Sequence, residues 1–286
     1  MVKPDTWQQL LKTVSEDDGL PWRDCGKWTE DKLWFWHRYL SITTSAMVGN
    51  PKWKGGLVNV DLFAGPGICR VRETGKRIPG SPLIAAHAPK RFEKIILVER
   101  NDANSIACDE RMRKSPAADR YKMFTGDCNS LITSVTREIP RGALTLAFID
   151  PEGLHVHFET LKELASGRWV DFLLLFADAI DVVRNVDQYE QESDSNLDLM
   201  LGSDSGWRDD WAQLQNRSGD NVRSLFPKIY QRQIQRHLKY TGFREKVIKG
   251  PRGPLYTLIY ASMHELGLEF WDKITKKDRM GQGELF

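Results

Sequence analysis

The sequence predicts an α/β fold in which a mostly parallel sheet is covered by helices on both faces. Short apolar runs alternate with helical patterns through the middle of the chain, and this alternation is typical of parallel sheets. The strand candidates are 57–63, 94–99, 121–126, 144–150 and 171–176, and the helix candidates between them are 83–92, 103–113, 130–138 and 158–166. Because a chain of 286 residues is near the size limit of a single core, we expect one Rossmann-like core with additions.

Additions flank this core, which we place at residues 51–177. Residues 1–50 form a tryptophan-rich helical extension, residues 178–241 a helical insertion, residues 242–275 a hairpin followed by a helix, and residues 276–286 a tail. The hairpin is predicted because two strand-like runs flank a Gly/Pro turn. Five parallel strands with such a hairpin match the seven-stranded sheet of class I methyltransferases better than a plain dinucleotide-binding domain.

Composition limits the possible partners and location. The chain has 41 Lys and Arg residues against 39 Asp and Glu, so any attraction to nucleic acid or acidic membranes has to come from a local surface. The first residues lack the apolar core of a signal peptide, and no run approaches the ~20 apolar residues of a membrane span. We therefore expect a cytoplasmic protein. The four cysteines form no C-x-x-C pair and are read as reduced thiols without metal.

The first strand candidate ends in the segment Asp-Leu-Phe-Ala-Gly-Pro-Gly at 61–67. Ligands of open α/β sheets bind beyond the carboxyl ends of the strands, and Gly65 and Gly67 allow a sharp turn and a close approach of backbone to ligand. A G-x-G pattern alone is equally typical of an ordinary turn between a strand and a helix.

Acidic side chains follow the next three strand candidates. Glu99 is placed to accept the hydroxyls of a ribose, and Asp127 to accept an adenine amine while the N–H of Cys128 meets a ring nitrogen. Asp150, Pro151 and Glu152 follow the fourth strand candidate, where a transferred group would lie. Each feature has an ordinary alternative, such as helix capping by Asp127 or a turn at Asp150.

The four features together, in this order, favour S-adenosylmethionine (SAM) as the ligand. The NAD fingerprint G-x-G-x-x-G requires a third glycine where Arg70 stands, and Glu99 lies beyond the ~20-residue offset of its acidic residue. The predicted cofactor-binding residues are Asp61, Phe63, Gly65, Pro66, Gly67, Glu99, Asp127 and Cys128. The predicted catalytic residues are Asp150, Pro151 and Glu152, and no metal site is predicted.

Over most of its length the chain resembles the three-Cys-motif partner (TcmP) family of SAM-methyltransferase-like proteins. The resemblance rests on segment 61–67, Gly-Ser-Pro at 80–82, Gly-Asp-Cys-Asn at 126–129, Phe-Ile-Asp-Pro-Glu-Gly-Leu at 148–154 and Arg-Asn at 184–185, with further similarity at 20–23, 32–33 and 255–256. It implies SAM as cofactor and, as a partner, a separate protein with a three-cysteine motif.

Segment 61–67 also resembles the SAM loop of DNA cytosine-C5 methyltransferases, which use a Pro-Cys nucleophile that this chain lacks. Amino-directed DNA methyltransferases carry an Asp/Asn-Pro-Pro-aromatic motif whose aromatic residue stacks on the flipped base. Here Asp150 and Pro151 are kept, but Glu152 and Gly153 replace the second proline and the aromatic residue. Stacking would then fall to Phe63, Trp169 or Phe176.

Two basic segments suggest a nucleic-acid contact. Lys228, Arg232 and Arg236 recur at four-residue spacing and share one face of a helix, and Arg70, Arg72, Lys76 and Arg77 form a basic loop near the glycine segment. The alternative for the helical stripe is a solvated face beside the acidic stretch 187–210. His155 and His157 are read as solvent-facing residues rather than as metal ligands.

Two functions follow as hypotheses. The first is a SAM-dependent methyltransferase that acts on a macromolecule, with nucleic acid as the expected substrate and Asp150 orienting or deprotonating the acceptor. The second is a non-catalytic adaptor that keeps the fold and docks a partner protein or nucleic acid. Glu152, Gly153 and the tryptophan-rich N-terminus favour the adaptor.

Overall fold

The computed structural model describes residues 6–151, 153–177, 181–251 and 253–276. The strands among them are β1 (Arg23–Cys25), β2 (Leu57–Asp61), β3 (Ile68–Val71), β4 (Arg77–Pro79), β5 (Lys94–Glu99), β6 (Tyr121–Thr125), β7 (Leu144–Ile149), β8 (Trp169–Phe176), β9 (Gly242–Gly250) and β10 (Gly253–Ser262). The helices are α1 (Thr6–Thr13), α2 (Trp28–Met47), α3 (Ser81–Ala86), α4 (Asp102–Arg113), α5 (Cys128–Arg137), α6 (Phe158–Ala165), α7 (Val183–Gln191), α8 (Asn196–Leu201), α9 (Trp207–Gln213), α10 (Gly219–Leu238) and α11 (Glu265–Thr275). None of these helices is long and apolar enough to cross a membrane, and the cytoplasmic location stays a prediction.

Seven of the described strands form one sheet in the order β6-β5-β2-β7-β8-β10-β9. The pairs within β6-β5-β2-β7-β8 are parallel, whereas β10 runs antiparallel to both β8 and β9. The chain builds the sheet in one direction from β2 and then in the other from β7, which opens a crevice at the carboxyl ends of these two strands. The predicted Rossmann-like sheet of five parallel strands with a C-terminal antiparallel hairpin is confirmed.

The central strands are apolar because helices cover both faces of the sheet. Every residue of β2 and β7 is buried, as parallel strands between two helical layers require. Asn59 is a polar exception in β2, and its side-chain amide donates to the backbone oxygen of Leu146 at 3.2 Å. The two strands thus hold Asp61 and Asp150 in fixed places at the crevice.

A second, small sheet lies beside the crevice, in the order β1-β3-β4. β1 pairs in parallel with β3, with Arg23 opposite Cys69, and β3 pairs with β4 as an antiparallel hairpin. The predicted basic loop at 70–77 is shorter in the structure, because Arg70 lies in β3 and Arg77 in β4, and residues 72–76 form the turn between the two strands. This sheet brings the N-terminal segment next to the glycine-containing turn.

Two predicted helices differ from the structure for local reasons. α3 ends at Ala86 rather than at 92, since Pro89 has no N–H to donate and disfavours helical geometry at the residue before it. The predicted helical insertion is interrupted between α7, which ends at Gln191, and α8, which begins at Asn196. Ser195 and Asp198 form a capping box that starts α8.

The N-terminal extension shares the hydrophobic core of the sheet through aromatic residues of α2. The rings of Trp36 and Phe148 stack with centroids 4.9 Å apart. The hydroxyl of Tyr39 donates to Asp171 Oδ2 at 2.8 Å and lies 2.8 Å from the hydroxyl of Tyr260. α2 is thereby fixed across β7, β8 and β10.

Arg111 of α4 fastens the segment that joins α1 to β1, residues 14–22, which we call the N-terminal strap. Its guanidinium donates to both carboxylate oxygens of Asp18 at 2.7 and 2.8 Å, and to the backbone oxygens of Pro21 at 2.7 Å and Pro66 at 2.6 Å. The Arg111 side chain is 4% exposed. Its hydrogen bonds hold the pKa of Asp18 well below the usual range of an aspartate.

We expect Arg111→Met to lower the free energy of unfolding by roughly 3 kcal/mol, because it removes the buried donor of Asp18 Oδ2 and of the backbone oxygens of Pro21 and Pro66. Arg113→Met, on the exposed side of the same helix, removes an ion pair with Asp109 and should cost far less, because an exposed ion pair contributes little to stability. Urea unfolding with equal slopes for the three proteins measures the difference. Equal losses in the two variants would contradict this role of Arg111.

Candidate functional site

The turn after β2, residues 61–67, forms the floor of the candidate site and is called the glycine loop here. Gly65 and Gly67 have φ values of 62° and 86°, in the left-handed region that glycine adopts without strain. A Cβ on Gly65 would meet only Arg23, at 3.9 Å, whereas a Cβ on Gly67 would lie 3.5 Å from Arg111. The first glycine therefore leaves open space above the loop, and the second allows close packing below it.

Glu99, at the end of β5, holds the glycine loop in place. Its Oε2 accepts from the N–H of Gly65 at 2.8 Å, and its Oε1 accepts from the N–H of Asn101 at 2.8 Å. A carboxylate oxygen has two lone pairs, so each oxygen can still accept a hydrogen bond from a ligand. Glu99 thus combines a structural contact with the capacity to bind hydroxyl groups.

Asp127 caps the N-terminus of α5, as its ordinary alternative proposed. Its Oδ1 accepts from the N–H groups of Asn129 at 3.0 Å and Ser130 at 3.2 Å. The next residue, Cys128, is buried, and burial raises the pKa of its thiol to about 12. Cys128 is therefore a neutral thiol that can present its backbone N–H but not a thiolate.

Asp61 lies fully buried beneath the glycine loop. Its Oδ1 accepts from the N–H of Phe63 at 3.1 Å, while its Oδ2 has no hydrogen-bond partner among the described residues. Burial raises the pKa of Asp61 to about 7, against the opposing effect of the Ser81 hydroxyl. Asp61 shapes the loop from below, and its role as a direct ligand of a cofactor stays a prediction.

Asp150, just after β7, is ion-paired with a residue from a distant part of the chain. Its Oδ2 accepts from the ammonium group of Lys32 in α2, and the two side chains are 15% and 10% exposed. The Lys32 ammonium also lies 5.5 Å from the ring centre of Tyr256 in β10. The pair is largely sheltered from water, and it joins the end of the sheet to the N-terminal extension.

Two adjoining cavities occupy the crevice. The first, of about 440 Å³, contains Glu99 and Asp127 in its wall, and the second, of about 180 Å³, lies against the glycine loop and Lys32. Arg23, Phe63 and Asp150 line both cavities. These three residues mark the junction at which one elongated ligand would pass from the first cavity to the second.

The structure brings most of the predicted site residues to this crevice. Those that line one or both cavities are Phe63, Gly65, Pro66, Gly67, Glu99, Asp127, Cys128, Asp150 and Pro151. Asp61 lies behind the loop, and Glu152 lies outside the described residues. The individual roles assigned to these residues stay predictions.

Several lining residues have no counterpart among the predicted site residues. Trp22 borders the first cavity, Ser81 and Tyr256 border the second, and Arg23 borders both. Lys32, also at the second cavity, belongs to a segment that resembles the TcmP family, but the sequence suggested no role for it. The density of tryptophans near the N-terminus was the available signal that this segment does more than cover the core.

Most of the predicted nucleic-acid contacts already have acidic partners within the protein. The ion pairs are Arg70 with Asp24, Lys76 with Glu30, Arg77 with Asp17 and Asp18, Arg232 with Asp210, and Arg236 with Asp204. Lys228 is exposed, and Arg72 lines the second cavity. Acidic residues lie next to the basic residues of α10, as expected if this helix face is simply exposed to solvent. Nucleic-acid contact stays a prediction.

The two histidines after β7, His155 and His157, are bound to the side chain of Asn129 through their backbone groups. Asn129 donates through its side-chain amide to the backbone oxygen of His155 at 2.9 Å and accepts from the N–H of His157 at 2.9 Å. Within residues 6–151, 153–177, 181–251 and 253–276, no group of three or more His, Cys, Asp or Glu side chains could hold a metal ion.

Comparison with known proteins shows likeness in structure but not in sequence. No family model matches the chain, and no curated protein matches it in sequence. An O-methyltransferase from Bacillus cereus, solved with S-adenosylhomocysteine (SAH), is 12% identical with a TM-score of 0.47, over 92% of this chain and 93% of that one. Protein LPL1258 from Legionella pneumophila is 11% identical with a TM-score of 0.51, over 84% and 88%. The O-methyltransferase TomG from Streptomyces achromogenes, solved with SAM, is 9% identical with a TM-score of 0.44, over 92% and 100%. At these identities the likeness concerns the fold alone.

The raised pKa of Asp61 makes a pH-dependent contribution to stability. In the folded protein the pKa is about 7, and in the unfolded chain it is ~3.9. Between these pH values the folded protein holds a proton on Asp61 that the unfolded chain releases. The contribution of this proton to the free energy of unfolding is fully present below pH ~4 and is lost as the pH rises to ~7. Wild type should therefore lose up to ~4 kcal/mol over this range relative to Asp61→Asn.

Urea unfolding at half-unit steps from pH 4 to pH 8 measures this difference. Asp102→Asn, at the exposed start of α4, serves as the control and should run parallel to wild type. A constant difference between wild type and Asp61→Asn at every pH would show that Asp61 is ionised throughout.

Proposed function

We propose that the protein binds SAM in the crevice and transfers its methyl group to an acceptor. The observation that carries this proposal is the pair of adjoining cavities with Asp150 at their junction. The first cavity offers Glu99 to ribose hydroxyls, and Asp127 with the Cys128 N–H to adenine. The second offers the glycine loop and Ser81 to the methionine portion. SAM has this sequence of groups, with its sulfur between the adenosine and methionine portions.

The donors and acceptors of the site fit this ligand. Above Gly65, space remains that a side chain would fill, and Glu99 keeps accepting capacity on both oxygens. The connection after the glycine loop differs from that of a dinucleotide fingerprint, in which the loop opens directly into a helix. Here β3 and β4 intervene, Arg70 lies within β3, and the next helix begins only at Ser81.

When bound, SAM supplies an electrophilic methyl group on a positively charged sulfur. The protein's own residues then have to hold the acceptor in line and accept its proton, and good positioning alone can contribute ~7–11 kcal/mol. Asp150 at the junction is the residue placed to bind the N–H or O–H of an acceptor. Pro151 follows it in the cavity wall and restricts the backbone there.

The sequence-based expectation is a macromolecular acceptor, with nucleic acid as the favoured class and a separate protein with a three-cysteine motif as a partner. Its support is the sequence resemblance, together with Arg72 at the second cavity and Lys228 on the surface of α10. The ion pairs of the other predicted cations count against a continuous phosphate-binding surface. The competing proposal, a non-catalytic adaptor, is separated from the enzyme by the experiments below.

The first experiment is calorimetric titration of SAM, SAH and NAD into the full chain. We expect both adenosyl ligands to bind below millimolar concentration. Glu99→Ala should weaken them by ~1.5–3 kcal/mol, or roughly 10- to 150-fold, through loss of a charged hydrogen bond. Glu138→Ala, which removes a carboxylate paired with Lys94 at the far end of α5, is the control and should bind as wild type does.

Absence of SAM and SAH binding in the folded wild-type protein would overturn the proposed function. An unchanged affinity in Glu99→Ala would instead show that Glu99 serves only the backbone of the glycine loop.

The second experiment compares wild type with Asp150→Ala in transfer of a tritiated methyl group to total cellular RNA, DNA and protein fractions. Because Asp150 contacts the acceptor rather than the adenosine, SAM affinity should stay within about tenfold. Transfer at equal SAM occupancy should fall by ~10² or more if Asp150 is the general base. Equal incorporation would remove Asp150 from catalysis. No incorporation in any fraction despite tight SAM binding would favour the adaptor.

A further inference from the structure

Charged side chains of both signs lie at the junction of the two cavities, and the proposed function does not by itself require both. Asp150 reaches the junction, and the group that neutralises it, Lys32, lies on the side of the second cavity. Arg23 brings a second positive charge to the same junction. A ligand atom at this point therefore meets two cations and one carboxylate, all on side chains that are at least partly buried.

If SAM spans the two cavities, its sulfur lies at this junction, because the sulfur joins the adenosine portion to the methionine portion. The sulfur is positively charged in SAM and neutral in SAH. An unpaired carboxylate beside it would bind SAM more tightly than SAH by a direct Coulomb attraction, which is strong where water is largely excluded. Lys32 weakens this attraction, because its ammonium group already neutralises the Asp150 carboxylate.

Such an attraction would slow methyl transfer. During the reaction the bond between the methyl carbon and sulfur breaks, and its electron pair stays on sulfur, which becomes neutral. The acceptor's lone pair forms the new bond to carbon, and its proton passes to Asp150 and then to water. Positive charge thus leaves the sulfur and develops on the acceptor as the transition state forms. A carboxylate held closer to the sulfur than to the acceptor stabilises the starting charge more than the transition state and raises the barrier.

We propose that Lys32 is a positioning residue that sets the charge balance at the sulfonium by holding Asp150 in an ion pair, so that SAM is not bound at the expense of methyl transfer. This inference rests on the proposed function. It explains why the contact between α2 and the end of β7 is an ion pair, since an uncharged pair could link the two elements equally well.

The test compares the dissociation constants of SAM and SAH by calorimetry in a set of charge variants. Lys32→Met leaves Asp150 unpaired and should raise the preference for SAM over SAH by roughly tenfold or more. Lys32→Arg keeps the cation and should stay within about threefold of wild type. Asp150→Asn leaves Lys32 unpaired and should shift the preference in the opposite direction. The double variant Lys32→Met/Asp150→Asn should return it toward the wild-type value.

Lys94→Met is the matched control, because it also removes a lysine that is paired with a carboxylate, namely Glu138. It lies outside the cavity walls and should leave the ratio of the two dissociation constants unchanged. If methyl transfer is detected, the rate constant at saturating SAM should fall roughly tenfold in Lys32→Met and recover in Lys32→Arg. This recovery would not occur if any change at residue 32 simply loosened the fold.

The outcomes separate this inference from the proposed function. Binding of both ligands with an unchanged ratio in Lys32→Met would overturn the role of Lys32 and leave the SAM site intact. If Lys32→Met fails to fold, Asp150→Asn decides the matter through the sign of its shift, and a shift toward SAM would overturn the inference. Absence of SAM and SAH binding in wild type would overturn both proposals.

Discussion

The buried guanidinium of Arg111 connects the parts of the protein that form the crevice. It belongs to α4, it binds the N-terminal strap through Asp18 and Pro21, and it binds the glycine loop through Pro66. A guanidinium can satisfy so many acceptors because it offers five N–H donors in one plane. The strap then delivers Trp22 and Arg23 to the cavity walls. This single cation thus supports the loop and the strap together.

The crevice combines two layers of charge that serve different purposes. Below the glycine loop, Asp61 lacks solvent and lacks a partner for one of its oxygens, so its environment favours the neutral acid. Above the loop, Asp150 is held by Lys32. The carboxylates at the end of β2 and just after β7 thus both differ from free negative charges, because burial raises the pKa of Asp61 and an ion pair holds Asp150. Glu99 differs from both, because its partners are backbone N–H groups.

The positions and the parallel direction of the central strands could be predicted from the sequence, since their apolar runs are continuous, alternate with helical patterns and end in polar residues. For the same reason Glu99, Asp127 and Asp150 could be assigned to one edge of the sheet. The contact of Lys32 with Asp150 could not be predicted, because 118 residues separate them along the chain and it depends on how α2 crosses the sheet. β1 has only three residues, too few to show a period. Lys76 and Glu30 are likewise 46 residues apart, so the sequence alone did not show that the ammonium group of Lys76 is already paired.

The aromatic face of α2 has a consequence for how the protein is made. Tyr39 in this helix meets Tyr260 in the last strand, 221 residues further along the chain, and Tyr260 stacks on Trp271 of the last helix. At a synthesis rate of ~5–20 residues per second, the ribosome needs about 10–45 s to produce those residues. During that interval the helix has neither β10 nor α11 to cover its aromatic side chains. We therefore expect the nascent chain to rely on chaperones until its C-terminal hairpin has left the ribosome.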